Sequence, residues 1–231
     1  MTGLSPMRYR LGLLTIATTL GACTGSSEHD TAVVLAERNV DDIPQLTTFS
    51  FACDDGTTVV ANHRDEGYVY LFLPGNTVRL AHVPSGSGAR YSDGAITYWS
   101  KGRVATIERA DESTTRCEEQ RRLSIIEDAK LRGTDYWARG NEPGWMLEIA
   151  WDSIRFVTGY ATEHYRFATS EPVVDTSEKR TTYRALADDH TLTVTITYFR
   201  CGDSMSDEEF EGTVELRFDD QKLRGCGQAL H

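Results

Sequence analysis

The chain has 231 residues, room for one large domain or two small ones. With 39% hydrophobic and 26% charged residues, wholesale disorder is excluded. A formal net charge of −11 argues against nucleic acid as a partner and favours basic partners through electrostatic steering.

The first segment reads as an export signal rather than as part of a fold. Arg8 and Arg10 form a basic start, and Leu11 to Leu20 ("LGLLTIATTL") an apolar run too short for a stable membrane span. Leu20-Gly21-Ala22-Cys23 then resembles the bacterial lipobox. That resemblance implies a lipoprotein signal peptide over residues 1–22, cleavage before Cys23 and lipidation of Cys23. Cleavage after Ala22 without lipid is the alternative. Thr24, in place of Asp, implies sorting to the outer membrane, in the cell envelope and facing the periplasm. Cleavage removes two arginines and no acid, so the mature charge becomes −13. Residues 23–44 read as a lipidated linker, with Glu28, Asp30, Glu37, Asp41 and Asp42 against Arg38 alone.

From residue 45 to 125 the pattern is short strands. "TTFSFAC", "TTVVANH", "GYVYLFL", "NTVRLAHV", "AITYWS", "RVATIERA" and "TTRCE" are rich in β-branched and aromatic residues. Turn clusters separate them: Asp54-Asp55-Gly56, Asp65-Glu66-Gly67, Pro74-Gly75-Asn76, Pro84 to Gly88, and Ser92-Asp93-Gly94. About seven strands at this spacing predict a small antiparallel barrel or sandwich.

Residues 127–231 form a second β-rich unit. In "HTLTVTITYF", Leu192, Val194, Ile196 and Tyr198 alternate with Thr191, Thr193, Thr195 and Thr197, so one face is buried and one is wet. "MLEIAW", "SIRFVTG", "HYRFAT", "TTYRALA" and "TVELRF" are further strands, and "SDEEF" reads as a capped helical turn. The charged stretch from Glu118 to Lys130 is taken as the divider between the units. The alternative is one continuous domain. The chain is thus expected to be all-β, two small antiparallel barrels behind a signal peptide.

There are five cysteines. With Cys23 lipidated, four remain, and the simplest connectivity is Cys53–Cys117 and Cys201–Cys226. Other pairings stay open from sequence. An exported chain can keep such bonds. The spacings fit no zinc pattern, and no metal or cofactor is implied.

"FACDDGTTVVANH", "VRL", "SGSGARY", "YWSKGRVATI" and a closing "RC", taken in order, resemble the membrane-bound inhibitors of chicken-type lysozyme, the MliC/PliC family. The resemblance spans about 75 residues and implies a small lipocalin-like barrel that binds c-type lysozyme and blocks its cleft. It also implies site residues. Ser87 and Lys101 match the inserted serine and lysine. Gly88, Arg90 and Tyr91 complete the first motif, and Tyr98, Trp99 and Gly102 flank the second. Ser85 is the weaker serine candidate. Neighbours on a strand face opposite ways, so at least one of Tyr98 and Trp99 belongs to the core. Arg103 departs from the pattern by adding a second cation near the tip.

"ARGNEPGWMLEI" and "CGDSMSDEEFEGTVELRF…GCG" resemble a domain of bacterial envelope lipoproteins with no assigned activity. Glu142, Asp203 and Asp207 are its motif acids, and paired carboxylates can hydrolyse glycans at the right separation. No nucleophile–base constellation accompanies them: Ser204 has no nearby His, and the six histidines are scattered. Turn and capping roles fit better, so no enzyme is expected. The alternative function is an envelope binding module for a small ligand or cell-wall fragment.

Overall fold

The computed structural model describes residues 46–64, 67–203, 205–206 and 208–231. Residues 1–45, which hold the expected signal segment, Cys23 and the acidic linker, and Asp65, Glu66, Ser204 and Asp207 lie outside the described residues.

Eight antiparallel strands close into a barrel: β1 (Thr48–Cys53), β2 (Thr58–Arg64), β3 (Tyr68–Leu73), β4 (Asn76–Val83), β5 (Ala89–Ser92), β6 (Ile96–Lys101), β7 (Val104–Arg109) and β8 (Thr114–Glu119). Each strand pairs with its sequence neighbours, and β1 returns to β8. Alternation sets the interior. Val69 and Leu71 of β3, Ala105 and Ile107 of β7, and Phe51 of β1 point inward and are buried. Cys53 and Cys117 are direct partners across the closing seam, and their disulfide staples it. The barrel strand missing from the sequence reading is β5. It has four residues, all half-buried, so it shows no alternation to detect.

The chain then forms α1 (Arg121–Leu131), where a divider was expected, and α1 spans the expected boundary at residues 125–127. Its inward residues are Ser124, Ile126, Asp128 and Ala129, two of them polar. An apolar stripe is therefore faint. The polar pair is instead matched to the barrel. Ser124 Oγ accepts the Ser50 N–H at 2.9 Å. Asp128 accepts the N–H groups of Thr47 at 3.1 Å and Thr48 at 2.9 Å. On the other side, Asp128 pairs with Arg132, Arg132 with Glu148 at 2.8 Å, and Glu148 with Arg155 at 3.1 Å.

Eleven strands follow: β9 (Thr134–Asn141), β10 (Gly144–Ala150), β11 (Ser153–Thr158), β12 (Glu163–Ala168), β13 (Val173–Asp175), β14 (Arg180–Ala187), β15 (His190–Thr197), β16 (Cys201–Gly202), β17 (Glu209–Phe210), β18 (Gly212–Phe218) and β19 (Gln221–Ala229). Nine of them make one curled sheet ordered β12-β11-β10-β9-β19-β18-β15-β14-β13, while β16 and β17 pair separately. The curl brings the two ends together, and Ser170, just after β12, accepts the Arg184 N–H of β14 at 3.3 Å. The fold is all-β and antiparallel, a closed barrel and a barrel-like curled sheet. As its pattern predicts, β15 buries Leu192, Val194 and Ile196, but Tyr198, read onto the same face, lies past the strand's end at Thr197 and is exposed. The three buried residues join Leu147, Ile154, Phe156, Phe167 and Phe218 in the enclosed core. In the stretch "SDEEF" the described residues give a bend at Ser206 and strand at Glu209–Phe210 rather than a helical turn. The second disulfide, Cys201–Cys226, ties β16 to β19.

Asp128 is 2% exposed and supplies acceptors to two backbone donors and one guanidinium. Asp128→Ala should lower stability by about 3 kcal/mol, since it orphans buried backbone donors and removes the partner of the Arg132 guanidinium. Urea unfolding of the variant beside wild type measures this, and a loss below ~1 kcal/mol would contradict it.

Candidate functional site

The barrel rim gathers the two motifs. The loop from Pro84 to Gly88 joins β4 to β5, and β6 ends at Lys101 beside it. Register places Ala89 opposite Ser100, Arg90 opposite Trp99 and Tyr91 opposite Tyr98. The loop is braced from within. Ser85 Oγ donates to the carbonyl oxygens of Ser87 (3.2 Å) and Gly88 (2.9 Å). Trp99 Nε1 donates to the Ser87 carbonyl at 2.8 Å.

Gly88 is required by geometry. Its φ is +70°, a region that costs any side chain. A Cβ there would collide with the Ser100 carbonyl and lie 3.2 Å from Lys101 Cβ. Only a bare backbone lets the loop lie on the end of β6. Ser87 and Lys101, fourteen residues apart in sequence, are thereby brought together at one rim. Both are exposed, and neither the Ser87 hydroxyl nor the Lys101 ammonium has a polar partner among the described residues. Gly102 has φ +59° and opens the two-residue turn to β7, as a II′ hairpin requires.

The other predicted site residues divide. Arg90 is tied to Glu108 of β7 at 3.1 Å, both about 41% exposed. Tyr91 is half-buried, with its hydroxyl 3.2 Å from His63 Nδ1, and burial raises its pKa. Burial likewise lowers the pKa of His63, keeping the ring neutral. Trp99 is 36% exposed and Tyr98 fully buried, so the Tyr98 ring belongs to the barrel core and is not presented at the rim. Arg103 is turned back to the wall, donating to the Glu119 carbonyl at 3.3 Å. Lys101 is thus left as the cation at the tip. The sequence reading did not find the supporting Glu108 and His63. Their signal was present only as alternation on β7 and β2, which places them on faces without naming partners.

In the second unit the two motifs also meet. Asp203 pairs with Arg139 and accepts hydrogen bonds from the Asn141 amide and, at 2.8 Å, the Met205 N–H. Burial acts to raise its pKa, but these donors outweigh it and bring it down to about 2. Asp203 is therefore a structural acceptor fully engaged by its neighbours, while Glu142 sits exposed in the β9–β10 turn.

The class defined by this fold and rim is a small antiparallel barrel that presents a glycine-serine loop and one cation side by side. The family model for membrane-bound lysozyme-inhibitor of c-type lysozyme matches residues 51–125. A membrane-bound lysozyme inhibitor of C-type lysozyme from Yersinia enterocolitica is 35% identical over 92 residues, covering 40% of this chain and 77% of that protein. The protein of the same name from Escherichia coli K12 is 33% identical over 67 residues, covering 29% of this chain and 62% of its own length. The chain belongs to this family of membrane-bound lysozyme inhibitors, a family of inhibitor proteins rather than enzymes. The family model stops at residue 125, so it leaves the curled sheet unmatched. No solved structure matches the chain.

Two measurements check these sites. Gly88→Ala should cost about 1–2 kcal/mol and displace the loop. The Trp99 indole N–H should then lose its slow hydrogen exchange, and an unchanged rate would show that the loop tolerates a Cβ. For Asp203, a folded-state pKa near 2 against an ordinary 3.8 means stability that is present above pH 4 and lost as pH falls through about 2. Asp203→Asn should flatten that part of the acid-unfolding curve.

Proposed function

We propose that this chain is a lipid-anchored envelope protein that inhibits c-type lysozyme by inserting the Ser87 loop and Lys101 into the enzyme's cleft. The observation that carries this reading is the seating of Gly88 on Ser100 and Lys101, which unites an uncharged, side-chain-poor loop with an unpaired cation. Lysozyme works with two carboxyl groups, one kept protonated and one ionised. A hydroxyl can hydrogen-bond the first, and an ammonium can pair with the second. The Ser-Gly-Ser-Gly backbone is narrow enough for a cleft shaped to sugars, and the exposed Trp99 edge, with Arg90 and Gly102, flanks it. The names of the relatives support lysozyme as the partner and a membrane location. The lipobox-like residues support Cys23 as the anchor, on the periplasmic side of the outer membrane. In this reading the unit over residues 45–125 carries inhibition and the unit over 127–231 is accessory.

The test uses the full-length chain in mild detergent, titrated against c-type lysozyme while cell-wall lysis is followed. Lys101→Ala should raise the inhibition constant about 30-fold, the effect of losing a central interface residue. Ser87→Ala should raise it about fivefold, the effect of one neutral hydrogen bond. Both positions are exposed, so unfolding midpoints should not move. If the double variant inhibits as wild type does, the insertion mechanism is wrong.

A further inference from the structure

The outward face of the curled sheet carries a charge pattern that folding alone does not favour. Arg184 of β14, Thr193 of β15, Arg217 of β18 and Lys222 of β19 are successive partners in one row across four strands. Arg217 and Lys222 are directly opposed, and like charges in that position destabilise a sheet. The next row adds Thr195, Glu215 and Arg224. Four cations against one acid thus line a single depression of about 540 Å3, on a chain of net charge −11. None of the four cations makes an ion pair among the described residues. The nearby Asp219 is turned to the β15 edge, bound by His190 Nδ1 at 2.7 Å and the Thr191 N–H at 2.8 Å. The hydroxyls of Thr193, between Arg184 and Arg217, and of Thr195, beside Glu215, likewise have no partner among the described residues. At Arg224 the depression adjoins a second one of about 400 Å3, whose arginines Arg139 and Arg200 are already paired with Asp203 and Glu209, so the free cations end at Arg224.

We propose that this face binds an anionic polysaccharide, its sulfates or carboxylates held by Arg184, Arg217, Lys222 and Arg224 and its hydroxyls by the threonine ladder. Three strand spacings give a track roughly 14 Å wide, enough for a short run of sugar units. Several features select this occupant. No aromatic ring lines the face, so the stacking platform of a single-stranded nucleic acid is missing. The lining groups sit in a depression, which a flat bilayer would bridge. An extended peptide would add at a sheet edge through its backbone, whereas these groups lie on the face. The opposed Arg217 and Lys222 are stable together once anions lie between them.

The test is isothermal titration of the full-length chain with a heparin hexasaccharide at about 50 mM salt, repeated at about 300 mM. A galacturonate hexamer, a neutral maltohexaose and a short single-stranded DNA serve as comparison probes. The hexasaccharide should bind, with affinity falling at least about tenfold at the higher salt. Maltohexaose should not bind. Galacturonate binding assigns carboxylate as sufficient, and its failure assigns sulfate; either supports the proposal. Arg217→Gln with Lys222→Gln should weaken hexasaccharide binding by about tenfold or more, while the unfolding temperature holds or rises because the opposed charges are gone. Lysozyme inhibition should be unchanged in that variant. No hexasaccharide binding by wild type, undiminished binding by the double variant, or equal affinity for the DNA would each overturn the proposal.

Discussion

The line of hydrogen bonds and ion pairs from Thr48 through Asp128, Arg132 and Glu148 to Arg155, with its two carboxylates buried, is the constraint on which the rest of the structure depends. Each member would be expensive to bury alone. Together they cross three elements: the barrel's first strand, the helix, and the first hairpin of the curled sheet. Asp128 and Glu148 are 2% and 5% exposed, so neither charge can turn to water for relief. The result is directional as well as stabilising. Apolar contacts would let α1 slide, whereas two backbone N–H groups received by one carboxylate fix its register against β1. The apolar part of the helix, Ile126 and Ala129, then packs on Trp137 and Phe210 outside β9. Arg122 adds an ion pair to Glu208 from the same side.

The barrel rim uses a different economy. Its rigidity comes from backbone acceptors rather than buried charge. Ser85, Trp99 and the bare Cα of Gly88 hold the loop, so Ser87 does not have to hold itself. A side chain freed from structural duty can meet a partner without first breaking a bond. The same division separates Arg103, spent on Glu119, from Lys101, which has no such engagement. It separates Tyr98 from Trp99 too, and for an older reason: adjacent strand residues must face opposite ways.

Much of this was legible in the sequence where the local rule and the fold agree. The strict alternation of β15, the glycine turns of the barrel and the simplest cysteine pairing all appear as read. The helix was not legible, because its inward face mixes Ser124 and Asp128 with Ile126 and Ala129. Those polar residues are buried by partners far away in sequence, which no periodicity reports. β9 and β19 were missed for a related reason. They contain Gly140, Gly225 and Gly227, which weaken a strand pattern, yet a Cβ at Gly225 would strike the Trp145 ring and the Arg139 backbone. There glycine makes room for a large ring inside the sheet rather than ending a strand. The rim residues were legible as motifs. Their mutual contact was not, since it depends on the β5–β6 register.

The helix also bears on where this barrel ends. The stretch that matches the inhibitor family ends at residue 125, midway along α1, while the acceptor that receives Thr47 and Thr48 lies three residues further on. The start of the barrel's first strand is thus tied to chain on the far side of that match. A cut at the end of the family match would leave β1 with orphaned donors at its first turn. The curled sheet cannot be discarded freely either, because Glu148 and Arg155 complete the partners of Arg132. The barrel, the helix and the first hairpin of the curled sheet therefore share one set of buried carboxylates, and a change at Asp128 is felt in all three.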